Sequence, residues 1–233
     1  IGRQDRNDIK TPHIDKLIED GIIFNSAFCT APLCSPARAS ILSGLFPHTH
    51  GMVANHQCRP GPDRMRFSSE IKLLPYYLKQ YGYISAYSGK WHLGTGSDRR
   101  GFLDIHGKRG DHDVTKEEDN DFLKYANSIG IKLIKKLDGN QPDPLLYDTY
   151  REMGPSNFTL ADHPSSYCCT KAVNFIYDRA KEDNPFCLVY STHEPHPPFI
   201  SPEPFFSMYK PEKVKLPENY GGTTGKRWLN RKG

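Results

Sequence analysis

The chain has 233 residues, 36% hydrophobic and 25% charged, with a formal net charge of +4 at neutral pH. That is enough chain to bury one core, so a single globular domain is expected. No apolar run is long enough to span a membrane, no dense basic block points to nucleic acid, and the mild positive charge suits an acidic substrate without demanding one. Thr11 is placed to cap a helix with Pro12 at its first position, Ile14, Leu17 and Ile18 on its apolar face, and Gly21 at its end. Ile22 to Phe28 reads as a strand leading to a turn at Cys34. Ser35 is a favourable N-cap and Pro36 a favourable first residue for a helix continued by Ala37 to Leu42 and stopped by Gly44. A second full helix is predicted from Leu74 to Tyr81 with Gly82 as its C-cap, then a strand over residues 83–88, then a loop from Gly89. If that loop is extended, Lys90 and His92 point to one site together while Trp91 packs opposite.

Residues 95–164 are polar, charged and rich in Gly, Asp and Pro, with one helix predicted from Ile129 to Leu137. They either shape a pocket or form a solvated excursion. Ser165 to Lys181 reads as a helix burying Ala172, Val173, Ile176 and Ala180, and Phe186 to Tyr190 as an apolar strand covered on both faces. Helix and strand alternate, which predicts an α/β sandwich with a mostly parallel sheet. Ligands bind at the carboxyl ends of strands in such sheets, and Cys34, Lys90, His92 and His196 all fall there.

Cys34 stands just ahead of a helix N-terminus, where free N–H groups and the macrodipole favour an anion, and Arg38 lies one turn in. A nucleophile, an anion-binding helix end and a guanidinium describe a site for a sulfate- or phosphate-like group. The same pentapeptide also fits a buried cysteine before an ordinary helix. The six cysteines lack zinc-site or disulfide-scaffold spacing. A Cys29–Cys34 disulfide is not expected; Cys29 reads as a small buried residue, and Cys168, Cys169 and Cys187 as core. His48 and His50 alternate like a metal pair but read as locally satisfied, as do His56 and His193. Gly225-Lys226 fails as a phosphate loop, because Tyr220 stands where its first Gly belongs and Arg227 follows the Lys. Asn157-Phe158-Thr159 fits an N-glycosylation sequon, a pattern common by chance.

Cys34-Ser35-Pro36-Ala37-Arg38 followed by a helix resembles the signature of the type I, formylglycine-dependent sulfatases of the alkaline-phosphatase-like superfamily. Thr11-Pro12-His13-Ile14-Asp15-Lys16-Leu17 resembles the family's Thr-Pro-Asn-Ile-Asp-x-Leu helix, and Ser40 to Gly51 the segment after the modified cysteine. Gly82-Tyr83 through Gly89-Lys90-Trp91-His92-Leu93-Gly94 resembles the second sulfatase signature, and Pro195-His196-Pro197-Pro198 the later Pro-His-x-Pro loop. The blocks stand in the family's order, densely over residues 9–94 and 165–220. Two departures are Ser43 and Leu45, where the family often has Thr and Arg.

The resemblance implies an alkaline-phosphatase-like sandwich truncated at both ends: residues 1–233 as a partial sulfatase catalytic domain, with 95–164 a variable insertion. It implies a sulfuric ester hydrolase in which a formylglycine-generating enzyme converts Cys34, Arg38 orients the resulting diol, and Lys90 binds a sulfate oxygen. His92 would assist the diol, and His196 would bind sulfate and protonate the leaving oxygen, a role suited to imidazole. The family also holds Ca2+, bound in part by the formylglycine at Cys34, with carboxylate ligands expected outside this chain; Asp5 and Asp8 follow no apolar strand and are not assigned. A second active-site lysine is also expected elsewhere, so the chain by itself is not expected to turn over. The implied partner is a sulfated small molecule or carbohydrate, in a secreted, periplasmic or lysosomal setting. The chain begins at Ile1, so the absence of a signal peptide carries no information. Two other readings are a formylglycine-dependent phosphonate or phosphodiester hydrolase and a truncated, catalytically incompetent pseudoenzyme.

Overall fold

The computed structural model describes residues 9–55, 67–93, 100–104, 121–130, 153–156, 158–196 and 199–214. Helix α1 spans Pro12–Asp20, with Pro12 where a missing N–H costs nothing. Thr11 donates its hydroxyl to Asp15 at 2.9 Å instead of capping a backbone N–H. The chain leaves the helix at Gly21 in an extended conformation, where a Cβ would stand 2.8 Å from the Leu17 carbonyl oxygen, so glycine fits there. Of the expected apolar face, Ile14 and Leu17 are exposed and Ile18 is half-buried. The strand expected over Ile22 to Phe28 does not form, and Ile22, Phe24 and Phe28 lie exposed. A strand needs a neighbour for its N–H and C=O groups, and among the described residues none pairs with this segment. β-propensity alone supplies no partner.

Helix α2 spans Cys34–Ser43 and its first turn closes with Ala37 N–H to the Leu33 carbonyl at 3.0 Å. Cys34 is therefore the first residue of the helix rather than lying ahead of it, and Ser35 is inside it rather than its cap. Pro36 is tolerated as the third residue because that N–H has no intrahelical acceptor. Gly44 stops the helix as expected, with φ +72° and its N–H on the Ser40 carbonyl. The short helix α3, Pro47–His50, folds back so that His50 is buried. The Met52 N–H donates to His50 Nδ1 at 3.1 Å, so Nε2 carries the proton and faces Ser40 Oγ at 3.0 Å. His50 is a core hydrogen-bonding residue, and His48 stacks on Phe46.

Burial lowers the pKa of His50, and burial also lowers that of His163 against an opposing pull from Glu194. Both histidines resist protonation in the fold, so below about pH 6.5 the unfolded chain takes up more protons and stability falls as pH falls. Thermal unfolding is expected to show a midpoint that drops between pH 7 and 5, with a shallower slope in His50→Gln. Equal slopes in the two proteins would contradict the buried neutral imidazole.

Helix α4, Leu74–Lys79, leads through Gly82 (φ +78°) into strand β1, Ile84–Gly89. β1 is central in a parallel sheet, flanked by β2 (Leu103–Asp104) and β4 (Phe186–Ser191). Its residues Ser85 to Gly89 are buried, as a central parallel strand requires. Tyr87, Trp91 and Phe102 pack edge to face in the main core with Ala39, Leu42, Met52, Phe67, Leu73 and Leu93. A second parallel pair joins β3 (Met153–Pro155) to β5 (Phe199–Ser201). β5 is followed by α7, Phe205–Met208.

Helix α6, Pro164–Arg179, packs on β1 and β4 through Cys168, Ala172 and Phe175, an i, i+4, i+7 stripe. Val173 and Ile176 are about two-fifths exposed and Ala180 is exposed, so the expected buried face is displaced by one residue around the helix. The stripe is fixed by the sheet: Ser88 Oγ donates to the Cys168 carbonyl at 2.9 Å, and Phe175 meets Phe186 edge to face. β4 is half-buried along most of its length rather than covered on both faces. Cys168 is in the core, with its thiol pKa pushed up to about 12 by burial, but Cys169 and Cys29 are exposed, against expectation. Cys29 and Cys34 are both free thiols.

Part of residues 95–164 belongs to the cores. β2 and Phe102 join the sheet and main core, while Phe122, Ala126 and Phe158 form a second cluster against Tyr125 and Tyr167. Helix α5 spans Asp121–Ser128 and ends in a turn at Gly130 (φ +78°), so Ile129 lies beyond it instead of starting a helix. Residues 131–137 of the expected helix, like Asn157, Cys58 and the Gly225-Lys226 pair, lie outside the described residues. No described helix is long and apolar enough to cross a membrane.

Candidate active site at the carboxyl ends of two parallel strands

β1 and β4 run in parallel register from Ile84 opposite Phe186 to Gly89 opposite Ser191. The ladder extends one bond further, from Lys90 N–H to the Ser191 carbonyl at 2.8 Å. The segment carrying Lys90 and His92 and the one carrying His196 therefore leave the same sheet edge side by side.

Helix α2 is fastened to that edge through its first turn. Ser35 Oγ donates to the His92 carbonyl at 2.7 Å, and the Ser35 N–H donates to Asn55 Oδ1 at 3.0 Å. Arg38 Nη1 reaches the Lys90 carbonyl at 2.8 Å, Ser191 Oγ at 2.6 Å and the Tyr87 hydroxyl at 3.3 Å. Tyr87 in turn donates its hydroxyl to the Lys90 carbonyl. One guanidinium thus joins α2 to the ends of both strands. Cys34, half-buried, begins the helix, whose dipole favours an anion; the Ser35 N–H is already taken by Asn55 and Pro36 has none.

Lys90 and His92 are both buried beside this junction, at 5% and 3% exposure, and Trp91 packs into the core. The segment is not extended as expected: His92 has φ +56°, a left-handed conformation, and its carbonyl is what receives Ser35. His196 reaches the edge by a separate route, five residues after Ser191. Its N–H donates to the His193 carbonyl at 3.1 Å, and the two imidazoles pack edge to face with centroids 4.9 Å apart. Pro197 and Pro198 of its motif lie outside the described residues.

Tyr87, Ser191 and Asn55 are positioning residues that sequence reading does not single out, and Ser35, expected as an N-cap, instead bonds the His92 carbonyl. Ser191 carries a weak signal, as the first polar residue after the apolar run of β4. Nothing in the sequence pairs it with an arginine 153 positions earlier.

Arg38→Met would leave the Lys90 carbonyl and two hydroxyls with a lost donor, at a cost of about 1–3 kcal/mol. Arg38→Lys places a point charge where a planar fork is used and is expected to lose stability as well. Urea titrations of the two variants check this; wild-type midpoints would show that Arg38 does not hold the junction.

Ca2+ takes six to eight oxygen ligands. Side chains gathered at the α2 start are cationic, imidazole, hydroxyl or amide. Among the described residues no three His, Cys, Asp or Glu side chains converge to hold a metal ion. These residues alone do not make a calcium cage; Asp5 and Asp8 lie outside the described residues.

Known proteins share this arrangement of sequence and fold. The chain is 30% identical to an ulvan-active sulfatase of Formosa agariphila, covering 91% of this chain and 36% of that protein. It is 28% identical to an N-acetylglucosamine-6-O-sulfatase of Bacteroides thetaiotaomicron, covering 93% of this chain and 32% of that protein. A phosphonate monoester hydrolase from Agrobacterium radiobacter superposes with a TM-score of 0.60 at 22% identity, over 89% of this chain and 40% of that one, and so shares the fold. The chain thus spans about a third of the length of the curated relatives it matches. The family model described as Sulfatase matches residues 3–225, and the chain belongs to the sulfatase family.

Proposed function

We propose that the protein containing this chain hydrolyses sulfate esters, with Cys34 as the precursor of its nucleophile. The observation that carries this reading is the Arg38 junction, which holds the Cys34 turn against the strand end bearing buried Lys90 and His92. Breaking a sulfate ester needs a nucleophile on sulfur, positive charge around its oxygens and a proton for the leaving alcohol. Converted to formylglycine by a formylglycine-generating enzyme, Cys34 supplies a gem-diol, one hydroxyl to attack sulfur and the other to let the aldehyde re-form as sulfate departs.

In this reading Arg38 and the α2 N-terminus orient that diol, and their charge favours the anionic ester. Lys90, desolvated by burial, holds a sulfate oxygen in a site where Coulomb attraction is weakly screened. His92 assists proton movement at the diol, and His196 gives a proton to the leaving oxygen. Calcium, expected from the family, would need ligands beyond the described residues. A carbohydrate sulfate is the proposed substrate class, supported by the names of relatives that act on ulvan or N-acetylglucosamine 6-sulfate groups. A secreted, periplasmic or lysosomal setting accompanies that reading at the level of the family.

The test is to co-express the full-length protein with a formylglycine-generating enzyme, weigh the Cys34 peptide, and assay matched aryl sulfates and phosphates. Conversion of Cys34 with preferential sulfate release is the expected result. An unmodified thiol, or a preference for the phosphate or phosphonate ester, would overturn the assignment.

A further inference from the structure

Glu194 is an odd residue to find two positions before His196. A carboxylate beside a sulfate site repels the substrate unless its charge is engaged elsewhere, and here it turns away toward α6. Ser165, in the first turn of that helix, donates its hydroxyl to Glu194 Oε2. His163, the N-cap of α6, places Nδ1 4.0 Å from Glu194 Oε1 and accepts the Ser165 N–H at 3.4 Å. A carboxylate at a helix N-terminus is also favoured by the helix dipole.

The same serine holds the strand. Tyr190, the last but one residue of β4, donates its hydroxyl to the Ser165 carbonyl at 3.0 Å. Burial raises the pKa of that hydroxyl, so it stays a donor across the physiological range. Beyond Ser191 the turn is closed by Thr192 Oγ1 on the Glu194 carbonyl at 3.1 Å and by the His196 N–H on the His193 carbonyl. Ser165 therefore ties α6 to the loop at two points, one before and one after the strand ends. The loop from Thr192 to His196 does not hang free from β4.

We propose that Glu194 is a positioning residue, whose carboxylate, docked on the first turn of α6, fixes the loop that presents His196. The inference rests on the assignment of His196 as the proton donor to the leaving oxygen. A donor displaced by an ångström loses most where the leaving group most needs its proton, and losses of that kind reach about 100-fold.

The experiment uses the full-length, formylglycine-bearing protein with Glu194→Ala, Glu194→Gln, Ser165→Ala and, as reference, His196→Ala. Each is assayed on 4-nitrophenyl sulfate, whose leaving group needs little protonation, and on unactivated phenyl sulfate. Glu194→Ala and Ser165→Ala are expected to lower kcat on phenyl sulfate about 10- to 100-fold, with less than about threefold loss on the nitrophenyl ester and KM nearly unchanged. Glu194→Gln should recover most of the loss, since its amide oxygen still accepts from Ser165. Glu194→Ala combined with Ser165→Ala should be no worse than either single change. An unchanged kcat on phenyl sulfate, an equal loss on both esters, or an effect confined to KM would overturn the proposal.

Hydrogen exchange at the amides of Thr192, His193, Glu194 and His196 separates this idea from the assignment beneath it, because it needs no turnover. Faster exchange there in Glu194→Ala supports the docking. Unchanged exchange overturns it, whatever the kinetics. Faster exchange combined with no leaving-group dependence in His196→Ala would retain the docked loop and overturn the acid role of His196.

Discussion

Replacing Cys34 by Ala in the full-length protein is expected to abolish sulfate release, by on the order of 10^4-fold or more, and to leave the fold standing. Losses of that size are usual when a covalent nucleophile is removed. The fold should survive because Cys34 is half-buried at the first position of α2, outside the main core, and Ala is the best helix former. The anchors of the helix, Ser35 and Arg38, are untouched by the change. Steady-state hydrolysis of 4-nitrophenyl sulfate and a thermal melt of the same preparation check both halves. Retained turnover with an unshifted melt would sink the nucleophile assignment.

Gly89→Ala should do the opposite and damage the scaffold. Gly89 is the last residue of β1, with φ +97°, a conformation that L side chains rarely adopt. A Cβ there would lie 1.9 Å from the Ser191 carbonyl oxygen, the acceptor of the Lys90 N–H. The backbone of β4 cannot move aside without breaking that ladder and the Arg38 contact to Ser191. The cost is expected to be at least about 3 kcal/mol, from a strained dihedral and a clash with backbone together. Activity should fall with stability, since both site-bearing loops start from this pair of residues. Urea denaturation of the variant gives the number; a midpoint equal to wild type would mean the strands do not approach this closely.

Local chemistry made the helix starts and stops readable. Pro12, Gly44 and Gly82 mark boundaries that the fold respects within a residue or two, because each acts through its own φ or missing N–H. The motifs single out two segments, one bearing Cys34 and Arg38 and the other Lys90 and His92, and the two meet at the Arg38 junction. Partners distant in sequence were not legible. Phe24 and Phe28 look like strand residues, yet a strand exists only with a neighbour, and none is among the described residues. On α6 the apolar residues Val173 and Ile176 outvote Cys168 in any hydropathy count, but the face that meets β1 and β4 is the one bearing Cys168. His92 departs from an extended segment for a related reason: a left-handed residue hands its carbonyl to Ser35, and side-chain alternation cannot report a carbonyl.

The Arg38 junction also sets a clock. Its acceptor Ser191 lies 153 residues downstream in the chain, and the His92 carbonyl that receives Ser35 lies 57 residues after that serine. At about 5–20 residues per second, a ribosome needs on the order of 10 s to go from Arg38 to Ser191. During that interval Ser191 and β4, which complete the junction, are not yet made. If Cys34 is converted as proposed, that step competes with the arrival of β4, and slowing translation between Arg38 and Ser191 is expected to raise the converted fraction, read as the mass of the Cys34 peptide.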